Sequence, residues 1–278
     1  MDVLRISAFS HEGTGGNPAG VVLLDKLAER EEMARVAAQV GYSETAFAAQ
    51  ADDGAWRVRY FSPESEVPFC GHATIALGAA LGDTFGADTY QLVLNDAEIS
   101  VEVEATPAGM VATLTSPSTH SCVATAKERA DALKLFGLTE ADLDDRLPPA
   151  RIHGGADHLL IALSKRTRLK AMNYDLDKGR EMMRRYELVT VMLVHIDGEQ
   201  TFSSRNAFAS GGVLEDPATG AAAAAFAGYL RDVGWPHGGS FSIRQGEDMG
   251  APSLLSVTLT DTPGAPVRVS GRTRKIQS

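Results

Sequence analysis

The sequence predicts an α+β protein made of two similar rolls, each a mostly antiparallel sheet wrapped around a central helix. Three observations carry this expectation. Two related polar segments occupy the two halves, at 63–74 and 211–221, and each follows a strand-like run and opens a helix. Both helices are rich in Ala and Gly. Small side chains there let a sheet close tightly around the helix axis. The strands also come in hairpins with short turns, which argues against a doubly wound parallel sheet, whose strands need long crossovers. A shift of 147 positions places Phe61 on Phe208, Cys70 on Pro217 and Ala76 on Ala223, so the repeat rests on element order more than on identity.

Taken in order, residues 2–9 alternate as a strand and 20–24 read as a short buried one. Asp25 is placed to cap a helix over 26–40, with Leu27, Met33, Ala34, Ala37 and Val40 near one face. Gly41 suits the left-handed residue that ends a helix. Thr45 to Gln50 reads as a strand, and Asp53-Gly54 as a hairpin turn. In the next strand Trp56, Val58 and Tyr60 share one face, Arg57 and Arg59 the other. The loop 62–71 precedes a helix over 72–83. Strands follow at 90–95, 99–105 and 110–115, the last two joined by a turn at Pro107-Ala108-Gly109. The second half repeats the order: strand 158–164, helix 176–186, strands 189–196 and 200–208, loop 209–218, helix 219–233, and strands 240–246, 254–260 and 267–275.

A chain of 278 residues, at ~150 per domain, predicts two domains. We place an N-terminal roll at 1–116 and a C-terminal roll at 117–265, with a last strand at about 266–278 returning to the first roll and the site in the cleft between the rolls. The stretch 116–157, with Pro117, Pro148 and Pro149, is read as holding the crossing linker. A net charge of −10 argues against nucleic acid as a partner. The Gly- and Ala-rich stretches near 67–82 and 217–230 fall short of the ~20 apolar residues of a membrane span, so no membrane partner is expected. With two cysteines and no leader-like start, the expected setting is cytoplasmic. No metal-ligand spacing appears, and His11, His120, His153, His158, His195 and His237 form no motif.

The candidate chemistry lies in four places. In the loop 69–73, Cys70, Gly71 and His72 adjoin a helix start, where free amides and the helix dipole favour an anion. Cys70 is read as a small buried side chain or a thiol, His72 as donor or acid. In the loop 215–220, Asp216 is a capping or site carboxylate, and Thr219-Gly220 opens the helix. Glu44 stands where a helix stops and an apolar strand begins. Residue type alone favours a solvated strand-end carboxylate; partial burial would instead suit acid–base work. The segment Gly13 to Gly20 lacks the ending of a phosphate loop and reads as a substrate-side loop with Asn17 as a donor. Cys122 reads as structural.

Together these segments resemble the PhzF family, phenazine-biosynthesis-like proteins of the diaminopimelate epimerase fold. The resemblance rests on Gly16-Asn17-Pro18-Ala19-Gly20, Ser43-Glu44-Thr45-Ala46-Phe47, Arg59-Tyr60-Phe61-Ser62-Pro63 with Glu66 to Thr74, Glu215-Asp216-Pro217-Ala218-Thr219-Gly220, and Gln245-Gly246 with Gly250-Ala251-Pro252-Ser253. It implies two pseudo-symmetric rolls, a homodimer, and cofactor-independent isomerisation of a small carboxylate. It places the catalytic glutamate on Glu44, with His72 and Asp216 beside it. Carboxylate-binding amides fall on Gly71, His72, Gly220 and Ala221, and Asn17, Ser43, Cys70 and Thr219 complete the substrate contacts. Related epimerases use one cysteine per half. Here Pro217 holds the second place, which excludes a two-thiol racemase. Ala221 stands where many relatives have Ser, so the phenazine enzyme's substrate does not transfer. A one-thiol epimerase using Cys70, and a catalytically silent binding protein, are the alternatives.

Overall fold

The computed structural model describes residues 1–95, 97–107 and 109–277. The chain forms two compact units: residues 1–115 with the stretch from Ser270, and residues 116–269. In the first unit the elements run β1 (Leu4–Ala8), β2 (Asn17–Leu24), α1 (Arg30–Val40), β3 (Thr45–Gln50), β4 (Trp56–Phe61), β5 (Glu66–Val67), α2 (Gly71–Phe85), β6 (Thr89–Val93), β7 (Glu98–Thr106) and β8 (Gly109–Thr115). The second unit holds β9 (His120–Val123), α3 (Ala126–Phe136), β10 (Ala150–His153), β11 (Asp157–Ala162), α4 (Arg166–Lys170), α5 (Leu176–Arg185), β12 (Thr190–Gly198), β13 (Thr201–Ala207), β14 (Glu215–Asp216), α6 (Gly220–Asp232), β15 (Ser240–Gln245) and β16 (Ser253–Thr258). The last strand, β17 (Arg268–Lys275), crosses the boundary between units; its residues Thr273, Arg274 and Lys275 pair with Ala8, Ser7 and Ile6 of β1.

The two units repeat one strand pattern. In the first, β2 is parallel to β3, β3 antiparallel to β4, β4 antiparallel to β5 and parallel to β6, and β6 antiparallel to β7. In the second, β11 is parallel to β12, β12 antiparallel to β13, β13 antiparallel to β14 and parallel to β15, and β15 antiparallel to β16. The α+β expectation holds: in this pattern each unit has two parallel pairings, and its other pairings are antiparallel. Each parallel pair needs a crossover: α1 and then α2 provide them in the first unit, α4 with α5 and then α6 in the second.

The central helices are buried because they are nearly free of charge. In α2 every residue from Gly71 to Gly82 is buried, and in α6 all but Ala221 from Gly220 to Leu230. Their glycines let strands approach. A Cβ on Gly78 would lie 2.6 Å from Val101 Cγ2 on β7, and one on Gly228 would lie 2.5 Å from Thr119 Cβ. On the outer side of the first sheet, Met33, Val36 and Ala37 of α1 pack on Val22, Phe47 and Phe61. In the second unit α3 and α5 pack likewise, through Ala132, Phe136, Met182 and Met183, on Leu159, Ile161, Val191 and Leu193.

Several expectations are corrected. Helix α1 starts at Arg30 with Glu29 at its N-cap, rather than being capped by Asp25. Gly41 does end it, at φ 71°. The stretch 116–157, read as holding the crossing linker, also contains β9, α3 and β10. Thr125 and Glu128 form a capping box at the start of α3, a signal present in the sequence. Asn17 to Gly20 belong to β2 rather than to a loop. Cys122 is exposed on β9, so it fills no core position. The turn expected at Pro107-Ala108-Gly109 has Ala108 outside the described residues.

Candidate active site

In the first unit, the end of α1 and the start of α2 bring four candidates together. Gly41 turns the chain out of α1, and Ser43 and Glu44 follow just before β3. Glu44 is 7% exposed. Its backbone carbonyl accepts from Gly20 N–H at 3.2 Å, where β2 and β3 begin to pair. Its Oε2 lies 3.4 Å from His72 Nε2. That approach is out of line for a hydrogen bond, and Oε2 makes none among the described residues. His72, in the first turn of α2, is also buried; Nε2 lies 3.4 Å from Ser43 Oγ, and Nδ1 lies 3.3 Å from Cys70 Sγ. The strand-end Glu44 is thus desolvated, contrary to the solvated reading that residue type favours. The ligand atoms of Glu44, Cys70 and His72 lie within 4.8 Å of one another.

Two further contacts hold this corner in shape. Thr74 Oγ1 donates to the Cys70 carbonyl at 2.7 Å and meets Tyr60 OH, also at 2.7 Å. Burial raises the Tyr60 phenol well above its ordinary range, so it stays protonated as a hydrogen-bond partner. Gly71 opens α2, and by helix geometry the first amides of that turn face outward, without intrahelical acceptors. Asn17 is buried at the start of β2.

The approach to α2 is fixed by an ion pair that the sequence reading left without a role. Arg59 donates to both oxygens of Glu66, Nε to Oε1 at 2.7 Å and Nη2 to Oε2 at 2.6 Å. Asn95 Nδ2 donates to Oε1 at 2.7 Å, and Arg30 Nε to Oε2 at 3.2 Å. The Arg59 fork, helped by Asn95 and Arg30, holds the Glu66 carboxyl down at about 2.

The second unit carries the matching device. Arg205 Nε donates to Glu215 Oε1 at 2.9 Å, and its Nη2 bonds Oε2 as well. The registers correspond: β4 pairs Phe61 with Glu66, and β13 pairs Ala207 with Glu215. Glu215 therefore anchors a loop, as Glu66 does. Next to it Asp216 is buried, and its Oδ2 accepts from Thr219 Oγ1. Gly220 begins α6 and Ala221 is half-buried in its first turn.

Gln245, quoted in the sequence only as part of a motif, is the hub of this loop. Its Nε2 donates to the Asp216 carbonyl at 2.7 Å and to Thr219 Oγ1 at 3.1 Å, while its Oε1 accepts from Thr219 N–H at 3.2 Å. Ser204 and Asn206 donate to the same Oε1, at 3.4 and 3.5 Å. A glutamine at a strand end was the available signal; that it reaches back across 26 residues to a helix start was not.

No described helix is long and apolar enough to cross a membrane. Compared with known proteins, the chain matches the PhzC-PhzF family, described as phenazine biosynthesis-like protein, over residues 6–277. A protein of Deinococcus radiodurans described as an uncharacterized isomerase is 31% identical over 270 residues, covering 91% of this chain and 85% of its own. The trans-2,3-dihydro-3-hydroxyanthranilate isomerase of Pseudomonas chlororaphis is 28% identical over 254 residues, 90% of this chain and 87% of its own. The solved structure of a predicted epimerase from Pseudomonas aeruginosa superposes with a TM-score of 0.86 at 25% identity, over 99% of this chain and 96% of that one. With the match running almost end to end, this chain belongs to the phenazine biosynthesis-like, PhzC-PhzF family and is an isomerase-type enzyme.

Proposed function

We propose that this enzyme isomerises a small carboxylate metabolite without a cofactor, with Glu44 moving a proton between two carbons of the substrate. The observation that carries this reading is the Glu44 carboxyl, buried, beside His72 and with Oε2 unused in hydrogen bonding among the described residues. A buried acceptor left without a partner costs about 1–3 kcal/mol, and such an atom calls for an explanation. A substrate C–H presented to Oε2 supplies one.

In the forward step Glu44 takes the proton, and the C–H electron pair passes into an adjacent unsaturated system of the substrate. The double bond shifts, and the protonated Glu44 returns the same proton to another carbon. Atoms and charge balance without an oxidant or a co-reactant. His72 Nε2, close to both Ser43 Oγ and Glu44 Oε2, orients the carboxyl and tunes the charge it meets. Helix-start amides at Gly71 and His72 suit an anionic group of the substrate, as do those at Gly220 and Ala221 in the second unit. Asp216 is the second carboxylate in this reading, with its orientation set by Thr219 and Gln245. The named Pseudomonas chlororaphis relative acts on a ring bearing a carboxylate, which supports the substrate class; Ala221 argues against assuming the same molecule.

A second reading makes Cys70 the proton carrier, favoured by its Sγ lying 3.3 Å from His72 Nδ1. One experiment separates the two. The protein is incubated in heavy water with amino acids, proline-like acids and dihydroaromatic acids, and NMR and mass spectrometry follow isomerisation and deuterium entry. Glu44→Gln is expected to lower turnover by at least about a thousandfold while substrate still binds, and Cys70→Ser to retain activity. Turnover that survives Glu44→Gln and disappears in Cys70→Ser transfers the role to the thiol.

A further inference from the structure

Three strands of the second unit align a set of metal-ligand side chains that the sequence spacing hides. His153 on β10 lies directly opposite His120 on β9 and directly opposite Asp157 on β11. Directly paired residues project from the same face of a sheet, so the row reads His120, His153, Asp157. The imidazoles of His120 and His153 are stacked, with centroids 4.4 Å apart and planes 21° apart. His153 Nδ1 meets Asp157 Oδ1 at 2.6 Å. One ligand atom from each of the three lies within 4.8 Å of the others.

We propose that His120, His153 and Asp157 form a surface site for a borderline divalent cation such as Zn²⁺. Two imidazoles and one carboxylate suit that class of ion better than Ca²⁺ or Mg²⁺, which take oxygen ligands. Zn–N and Zn–O lengths of about 2.0–2.2 Å put neighbouring ligands in a tetrahedron about 3.3 Å apart. Closing from within 4.8 Å to that spacing would take rotation of the exposed His120 ring out of its stack and a small opening of the His153–Asp157 contact. His120 is exposed, and His153 and Asp157 keep 29% and 31% of their side-chain surface, which leaves water access to the remaining position.

The surroundings are also those of a cation site. Asp157 Oδ2 is held by Arg151, Nη2 at 2.8 Å and Nε at 3.2 Å, which turns Oδ1 toward the histidines. The Arg151 charge is countered in turn by Glu128, whose Oε1 accepts from Nη1 at 3.3 Å. With neutral imidazoles, Asp157, Glu128 and Arg151 leave one net negative charge beside the row. A bound ion would tie the short strand β9 to β10 and β11, so its expected role is to brace the start of the second unit.

The test uses the full chain, without a polyhistidine tag, stripped with a chelator and titrated with Zn²⁺ against a chromogenic chelator. One equivalent per chain is expected, weakened tenfold or more by His120→Gln and by His153→Gln. Thermal unfolding of the second unit should move upward with Zn²⁺ in the wild type and not in His120→Gln. Cys70→Ser and Glu44→Gln, which disrupt the cluster of the first unit, should leave the stoichiometry at one. The proposal is overturned if no Zn²⁺ binds at micromolar concentration. It is equally overturned if binding persists in both histidine variants, or is lost in Cys70→Ser instead.

Discussion

Replacing Glu66 by Gln removes the charge that clamps the approach to Cys70 and His72, and the cost follows from the geometry. The carboxyl titrates at about 2 rather than at its ordinary 4.5, because Arg59 grips both oxygens and Asn95 and Arg30 add to them. A depression of about 2.5 units, at 1.36 kcal/mol each, corresponds to about 3 kcal/mol of stability. Glu66 and Arg59 are only 13% and 20% exposed, so solvent screening of the main pair is modest; Arg30, 58% exposed, contributes little. We therefore expect Glu66→Gln to destabilise the first unit by about 2–3 kcal/mol at pH 7. The sign is that of a lowered acid. The contribution is complete above pH 4.5 and disappears as pH falls toward 2, where the folded state also takes up the proton. By pH 3 the gap between wild type and variant should have shrunk by about 2 kcal/mol.

The chain has two tryptophans, Trp56 in the first unit and Trp235 in the second, so a Trp235→Phe background makes fluorescence report on the first unit alone. Urea unfolding at a series of pH values then gives the gap directly. A gap of less than about 0.5 kcal/mol at pH 7, or one equal at pH 3 and pH 7, would refute the argument that this carboxylate is held by a native charge pair.

The remaining predictions concern the second copy of the clamp and the central helix. Glu215→Gln, which strands the mostly buried Arg205, should destabilise the second unit by about 2–4 kcal/mol, read from Trp235 in a Trp56→Phe background. Gly78→Ala gains about 1 kcal/mol of helix propensity but drives a methyl to 2.6 Å from Val101 Cγ2, so a net loss of about 1–2 kcal/mol is expected in urea unfolding. Adding Val101→Ala should make the Gly78→Ala step itself favourable; a double-mutant cycle measures this.

Much of the secondary structure was legible because it follows from local rules. Thr45–Gln50 is a short, mostly apolar run that ends at a turn, Gly41 supplies the left-handed helix stop, and α5 starts on Asp175, whose carboxylate accepts from Lys178 N–H. The helix α3, which the linker reading of 116–157 does not include, carries a local signal in its Thr125–Glu128 box. Of the candidate residues, Ser43, Glu44, Cys70 and His72 meet in the first unit, and Asp216, Thr219 and Gly220 share a loop in the second.

Outside 116–157, the sequence by itself determined most of the segments that become strands and helices, that they repeat, and which polar loops open the two apolar helices. Those properties depend on neighbours within a few positions: alternation, caps, turn glycines and small side chains. Only the tertiary structure decided that the Glu44 carboxyl is buried against His72 rather than solvated at a strand end. Burial depends on what other segments cover a residue, and here α2 starts 27 residues further on. The same holds for the pairs Arg59–Glu66 and Arg205–Glu215, and for the row His120, His153 and Asp157. Strand register sets each of these contacts, and register is a relation between segments that local pattern does not contain.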